Sequence, residues 1–109
     1  MSDIIYPIEF YREFKNKTRN IVFGDKTVGI TEVELCANVT PLTNRIRLKF
    51  YIEGDYPVYI GNSGVDTASG YVILPGRENE EEFIFDPEEI VNIYAIAENE
   101  VTVKISEEA

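Results

Sequence analysis

Residues 45–53 alternate strictly between polar and apolar side chains, and this alternation limits what the chain can fold into. In an extended strand successive side chains point to opposite faces, whereas a helix would scatter both sets around its axis. The pattern therefore predicts a β-strand with one buried face and one exposed face. The side chains expected on the exposed face are Arg45, Arg47, Lys49 and Tyr51.

Shorter runs of the same kind are separated by turn residues along the rest of the chain. Strands are expected in 28–37, 57–61, 71–74, 92–97 and 100–105, and around Phe83 and Phe85. A chain of about seven to nine short strands is typical of an antiparallel β-sandwich or barrel. We predict a single all-β domain over residues 1–109, with 45–106 as the sandwich and 1–44 as an N-terminal part with a role in anchoring.

Four local expectations complete this picture. Residues 4–20 fit either an early strand or a short helix, and we favour a strand followed by a loop or short helix. Gly24-Asp25 reads as a turn after a strand at 21–23. Cys36 falls on the polar side of its run and is expected to face outward or towards a neighbouring subunit. Residues 106–109 are predicted to form an acidic tail.

Composition excludes several function classes. The chain has no His and one Cys, which removes a Ser-His-Asp or Cys-His pair and an intramolecular disulfide. The net charge of −10 argues against nucleic-acid binding. There is no secretory signal and no apolar stretch of the ~18 residues that a membrane span needs. We therefore expect no catalytic residues, no cofactor, no nucleic acid and no membrane partner.

Two polar segments are candidate ligand sites. The acidic run 78–89 reads as a solvated face, and a weak Ca²⁺ site using it, Asp55 or Asp66 stays open, although the spacing of a calcium-binding loop is absent. The loop 62–70 is rich in Gly, Ser and Asn but matches no phosphate-binding pattern. It is expected to be a tight connection whose tip touches a partner.

The order of motifs in residues 45–105 resembles small β-sandwich proteins encoded in the structural-gene regions of tailed bacteriophages. After the alternating strand come V-Y-I-G-N-S-G-V at 58–65, D-T-x-x-G-Y at 66–71 and L-P-G at 74–76. I-Y-A-I-A at 93–97 and V-T-V-K-I at 101–105 follow. The resemblance covers about 60 residues and leaves 1–44 unmatched.

The resemblance implies a virion structural protein, of the capsid-decoration, head-fibre or connector type, made in the cytoplasm of the host. Its partners would be phage capsid or tail proteins and copies of itself. The side chains we expect at such an interface are Arg45, Arg47, Lys49, Tyr51, Tyr56, Tyr59 and Tyr71. The alternative is a carbohydrate- or receptor-binding sandwich, which the absence of Trp makes less favourable.

Overall fold

The structure, a computed structural model, describes residues 20–109, and almost all of their regular structure is β. The strands, in chain order, are β1 (Ile21–Val28), β2 (Val33–Glu34), β3 (Arg47–Glu53), β4 (Val58–Gly61), β5 (Tyr71–Ile73), β6 (Glu81–Ile84), β7 (Tyr94–Ile96) and β8 (Val101–Glu108). A single 3₁₀ turn, Arg77–Asn79, is the helical part of this region. The predicted all-β class is confirmed. The alternative of a short N-terminal helix lies almost wholly outside the described residues.

The strands form two four-stranded sheets packed face to face. Sheet A has the order β1-β8-β3-β6 and sheet B the order β2-β7-β4-β5, and every neighbouring pair is antiparallel. Because the chain passes repeatedly from one sheet to the other in this order, the connectivity is that of a jelly roll. The antiparallel sandwich expected from the sequence is therefore confirmed.

The core lies between the inner faces of the two sheets. Alternate residues of β3 and β8 point inward, as the period of two in their sequences predicts. Aromatic rings extend this core toward the β6 edge, where Phe50 and Phe83 stack with centroids 6.1 Å apart and Phe83 and Phe85 with centroids 6.5 Å apart. Within residues 20–109, each sheet also has an outer face that points away from this core.

β1 corrects two expectations from the sequence. It runs without interruption through Gly24 and Asp25, where a turn was predicted, and pairs with β8 along its whole length. A side chain at Gly24 would collide with the carbonyl group of Ala37, so the glycine permits a close approach of two backbones. The sandwich therefore begins at Ile21, upstream of the predicted boundary at residue 45. An anchoring role for residues 1–19 stays a prediction, because they lie outside the described region.

β8 is also longer than expected. It continues to Glu108, so the residues predicted to form an acidic tail complete the central strand of sheet A. Beyond it, Ala109 and Asn20 exchange backbone hydrogen bonds of 2.9 Å in both directions. The first and last described residues therefore lie side by side.

Candidate protein interface

Arg45 is an interior residue, which corrects the prediction that it lies on the exposed face of β3. The strand begins at Arg47, so the strand alternation does not extend to Arg45. One guanidinium nitrogen of Arg45 lies 2.7 Å from Glu107, and the two side chains are 4% and 0% exposed. The guanidinium also donates to the carbonyl oxygens of Leu35 and Val91, each at 3.0 Å. Arg45 therefore holds the fold together and is not available to a partner.

Glu107 is the acceptor at the centre of this interior network. Its carboxylate accepts the backbone N–H groups of Ala37 at 2.9 Å and Leu42 at 3.2 Å, in addition to the guanidinium of Arg45. A buried charge is tolerated only when it is paired and hydrogen-bonded in this way. The network fastens the connection between β2 and β3 to the end of β8.

The outer face of sheet A, called the charged face, carries alternating cations and anions. Arg47 faces outward, as predicted, and its guanidinium lies 3.0 Å from Glu82 and 3.1 Å from Glu108. Lys49 also faces outward and forms no ion pair with another described residue. The guanidinium of Arg77 lies 5.4 Å from the ring centroid of Tyr51. The charged members of this face, together with Tyr51, are Asp25, Arg47, Lys49, Glu53, Glu82, Lys104 and Glu108. Exposed Ile21, Phe23 and Ile84 lie on the same face along its two edges.

Lys104 shows how the charged face neutralises its own charges. Its ammonium nitrogen lies 3.1 Å from Asp25 and 3.9 Å from Glu53, on the strands to either side. The hydrogen bond to Asp25 and the charges of both carboxylates raise the pKa of Lys104. Most charges on this face therefore already have partners in the chain. Of the two predicted interface cations that lie on it, Arg47 is paired and Lys49 has no ion pair with another described residue.

The outer face of sheet B is different and is called the apolar face. Tyr59 lies at its centre, directly opposite Ile96 on β7 and Val72 on β5. The members of the apolar face are Tyr59, Val72, Tyr94 and Ile96. All of them are at least partly exposed to solvent. Among the strand residues on this face, the only charged side chain is Glu34, at the β2 edge beside Tyr94.

The predicted interface tyrosines lie on different parts of the surface. Tyr59 is on the apolar face, Tyr51 is on the charged face, and Tyr56 is exposed in the turn between β3 and β4. Tyr71 is exposed on the edge strand β5, where it lines an apolar groove of about 530 Å³ between β5 and β6. The structure therefore does not bring these four rings together into one site.

Cys36 is buried, which corrects the prediction that it faces outward. β2 ends at Glu34, so the alternation stops and three consecutive residues from Leu35 onward are buried. Burial raises the pKa of the Cys36 thiol, and the nearby ammonium of Lys26, 3.4 Å from the sulfur, partly offsets this rise. A protonated, buried thiol is a poor nucleophile.

The polar segments are organised by hydrogen bonds within the chain. Asp86 forms the expected turn by accepting the N–H of Glu88 at 2.9 Å. Asp66 accepts hydrogen bonds from the N–H groups of Ser69 at 2.7 Å and Ala68 at 3.0 Å. The hydrogen bond from the Ser69 hydroxyl, followed by these two backbone bonds, lowers the pKa of Asp66. Among residues 20–109 no three His, Cys, Asp or Glu side chains are grouped to hold a metal ion. A weak Ca²⁺ site at 78–89, Asp55 or Asp66 stays a hypothesis.

Sequence reasoning missed most of the apolar face. The alternation within 71–74 and 92–97 predicts which of their side chains point outward. It does not predict which strands lie next to each other in the sheet. Only the order β7-β4-β5 places Tyr94 and Ile96 beside Tyr59.

Residues 20–109 contain no helix with the length and apolar character that a membrane span requires.

Comparisons with known proteins add little to this description. No protein-family model matches the chain, and no curated protein matches it significantly. Among solved structures, the chain is similar to one described as "Bacillus endospore appendages form a novel family of disulfide-linked pili". The identity is 16% over 84% of this chain and 85% of that chain, with a TM-score of 0.46. A likeness of this size says nothing about function.

Proposed function

We propose that this protein is a structural subunit that associates with copies of itself and with other subunits of a larger protein particle. The observation that carries the proposal is the apolar face, a contiguous set of aromatic and aliphatic side chains on one sheet of a strongly acidic chain. The particle we propose is the virion of a tailed phage, as a capsid-decoration or head or neck accessory protein, on the strength of the sequence resemblance.

The charge distribution supports association through the apolar face. A chain with a net charge of −10 repels its own copies at most orientations. On the apolar face the outward side chains of β4, β5 and β7 carry no charge and Glu34 lies at the β2 edge, so two copies can approach there with few opposing carboxylates. Contiguous exposed apolar surface on a soluble domain commonly marks a protein interface.

The chemistry of the side chains supports the same proposal. Tyrosine combines a large apolar ring with a hydroxyl that still bonds water or a partner, and it is enriched at the centres of interfaces. Tyr59 and Tyr94 lie on neighbouring strands, with Ile96 and Val72 on either side of Tyr59. This arrangement has the composition of an interface core with aromatic anchors.

The test is to place a charge at the centre of the apolar face and measure association. Tyr59→Lys should weaken self-association by about 30-fold or more, since a central anchor contributes about 2 kcal/mol or more. Thr102→Lys, on the charged face, is the matched control and should associate like the wild type. Sedimentation velocity over a range of concentrations measures both, and circular dichroism checks that both are folded.

Two outcomes would contradict the proposal. A wild-type chain that stays monomeric at every concentration has no self-association to explain. Equal association of Tyr59→Lys and wild type would exclude the apolar face as the surface. The phage assignment is tested apart from this: genes beside this one should encode portal, capsid or tail proteins, and neighbours of another kind would argue against a virion.

The carbohydrate-binding alternative uses the same two tyrosines. Neighbouring rings on the outer face of a sheet can stack on a sugar, and the half-buried Tyr59 and Tyr94 lie diagonally across two adjacent strands. A glycan array separates the two functions. Saturable binding that Tyr59→Lys abolishes, in a chain that remains monomeric, would favour the carbohydrate-binding module.

A further inference from the structure

The free edge of β1 is the longest exposed strand edge in the described region. Of the four edge strands, β2 has two residues, β5 has three and β6 has four, whereas β1 has eight. Long open edges are usually blocked by a proline, a bulge, an exposed lysine or a covering segment, because they otherwise pair with another strand.

None of the usual devices blocks β1 within residues 20–109. It contains no proline, and its pairing with β8 runs through eight consecutive residues without a bulge. Its single lysine, Lys26, is turned away from the edge, since its ammonium donates to the carbonyl oxygen of Asn38 at 2.8 Å. Phe23 instead leaves an apolar ring 77% exposed beside the edge.

The hydrogen-bond pattern shows which backbone groups are left open. Asn20 and Ala109 form a hydrogen-bonded pair, and such pairs alternate along an antiparallel ladder. Every second residue of β1 therefore bonds to β8, and the residues between them direct both N–H and C=O to the free edge. These residues are Ile21, Phe23, Asp25 and Thr27. In the described region they make no backbone hydrogen bond in that direction.

We propose that the free edge of β1 pairs with the same edge of a second copy of this chain, in antiparallel orientation about a twofold axis. In only one antiparallel register does each of the four open residues pair with one of the same four residues of the second copy. This register places Gly24 opposite Gly24 of the second copy. Sheet A would then continue across the axis into one eight-stranded sheet. This inference rests on the self-association proposed above and names a second surface for it.

The register is also compatible in charge and packing. Asp25 lies opposite Phe23 of the second copy, and Lys26 lies opposite Val22, so no like charges are directly opposed. The two Asp25 carboxylates lie diagonally across the axis, and each is already paired with Lys104 of its own chain at 3.1 Å. The two Phe23 rings lie diagonally across the axis, within the reach of aromatic side chains. An acidic chain that pairs with itself needs an edge of this kind, because opposed carboxylates would repel.

The experiment uses the Tyr59→Lys chain, in which the apolar face is disabled. This variant should still form a dimer in sedimentation velocity, and adding Phe23→Lys should make it a monomer. The matched control is Ile84→Lys, at the opposite edge of sheet A, whose side chain is 72% exposed against 77% for Phe23. It should leave the dimer intact.

A disulfide test checks the register. A chain with Phe23→Cys mixed with a chain carrying Asp25→Cys should cross-link, because the paired Cα atoms lie about 5.5 Å apart. Either chain alone should not, since its cysteines would be diagonal to each other, about 7–8 Å apart. The wild type, whose Cys36 is buried, is the control without an accessible thiol.

The outcomes separate this inference from the proposed function. A Tyr59→Lys monomer beside an oligomeric wild type overturns the edge pairing and leaves the apolar face standing. If Phe23→Lys disrupts the dimer and Tyr59→Lys has no effect, the edge pairing stands and the apolar face is overturned. Slow amide exchange at Phe23 and Asp25 that is independent of protein concentration would show the edge covered by the chain itself, and would also overturn the pairing.

Discussion

Arg45 and Arg47 are two residues apart, and the fold uses them in opposite ways. Arg45 is enclosed with Glu107 between the sheets, whereas Arg47 reaches Glu82 and Glu108 on the charged face with its side chain 43% exposed. The ion-pair distances differ little, at 2.7 Å inside and 3.0 to 3.1 Å outside. The lesson is that the surroundings of an ion pair, and not its geometry, decide how much the fold depends on it.

The largest effect should come from breaking the interior pair. Glu107→Ala leaves the Arg45 guanidinium buried without a counter-charge and removes the acceptor of two backbone N–H groups. We expect a loss of about 3–5 kcal/mol in the free energy of unfolding. Chemical denaturation followed by circular dichroism measures it. A loss below about 1 kcal/mol would show that the interior pair is no more important than a surface one.

A double variant sharpens the reason for that loss. Replacing both charges, as Arg45→Met with Glu107→Leu, removes the unpaired charge but still leaves the N–H groups of Ala37 and Leu42 without an acceptor. The double variant should therefore be more stable than Glu107→Ala alone and less stable than the wild type. A coupling energy of about 0.5–3 kcal/mol between the two sites is expected from a double-mutant cycle. Strict additivity would contradict the direct pairing.

Arg47→Ala should change the free energy of unfolding much less. Exposed ion pairs contribute about 0–1 kcal/mol, and salt screens them. We expect the small difference from wild type to vanish in 1 M NaCl, while the loss caused by Glu107→Ala persists. Denaturation of all three proteins at low and high salt provides the comparison, and an Arg47→Ala loss as large as that of Glu107→Ala would remove the distinction.

The smallest effect should appear at high pH. The pKa of Lys104 is raised from its ordinary value of 10.5, so its charge stabilises the folded state below that pH. This stabilisation is lost as the pH rises through the folded-state pKa. The melting temperature of Lys104→Met should therefore lie slightly below that of wild type near pH 8 and approach it above pH 10.5. A constant gap across this range would exclude titration of Lys104 as the cause.

The class of fold was predictable because alternation is a local property. The runs around Leu48 and Val103 specify strands whatever their partners are, and the structure confirms both. Predictions failed where a long-range contact decides the local structure. Gly24 reads as a turn unless the approach of Ala37 is known, and Glu107 reads as a tail residue unless Arg45 is known to reach it.

The candidate surfaces were predictable only in part for the same reason. The outward direction of Tyr59, Arg47 and Lys49 follows from alternation and is seen in the structure. Which outward residues become neighbours depends on strand order, which a single sequence does not contain. The apolar face therefore emerged only once β5 and β7 were seen to flank β4.

The adjacency of Asn20 and Ala109 determines how the domain would respond to mechanical load. Both residues sit at one end of the antiparallel β1–β8 ladder, joined by two 2.9 Å hydrogen bonds. Tension applied between them would break the backbone hydrogen bonds of the ladder one after another from this end, and not all at once. If a particle stretched its subunits between Asn20 and Ala109, β1 would therefore separate from β8 at low force. A particle that must survive internal pressure would have to carry the strain through the faces and edges of the sheets.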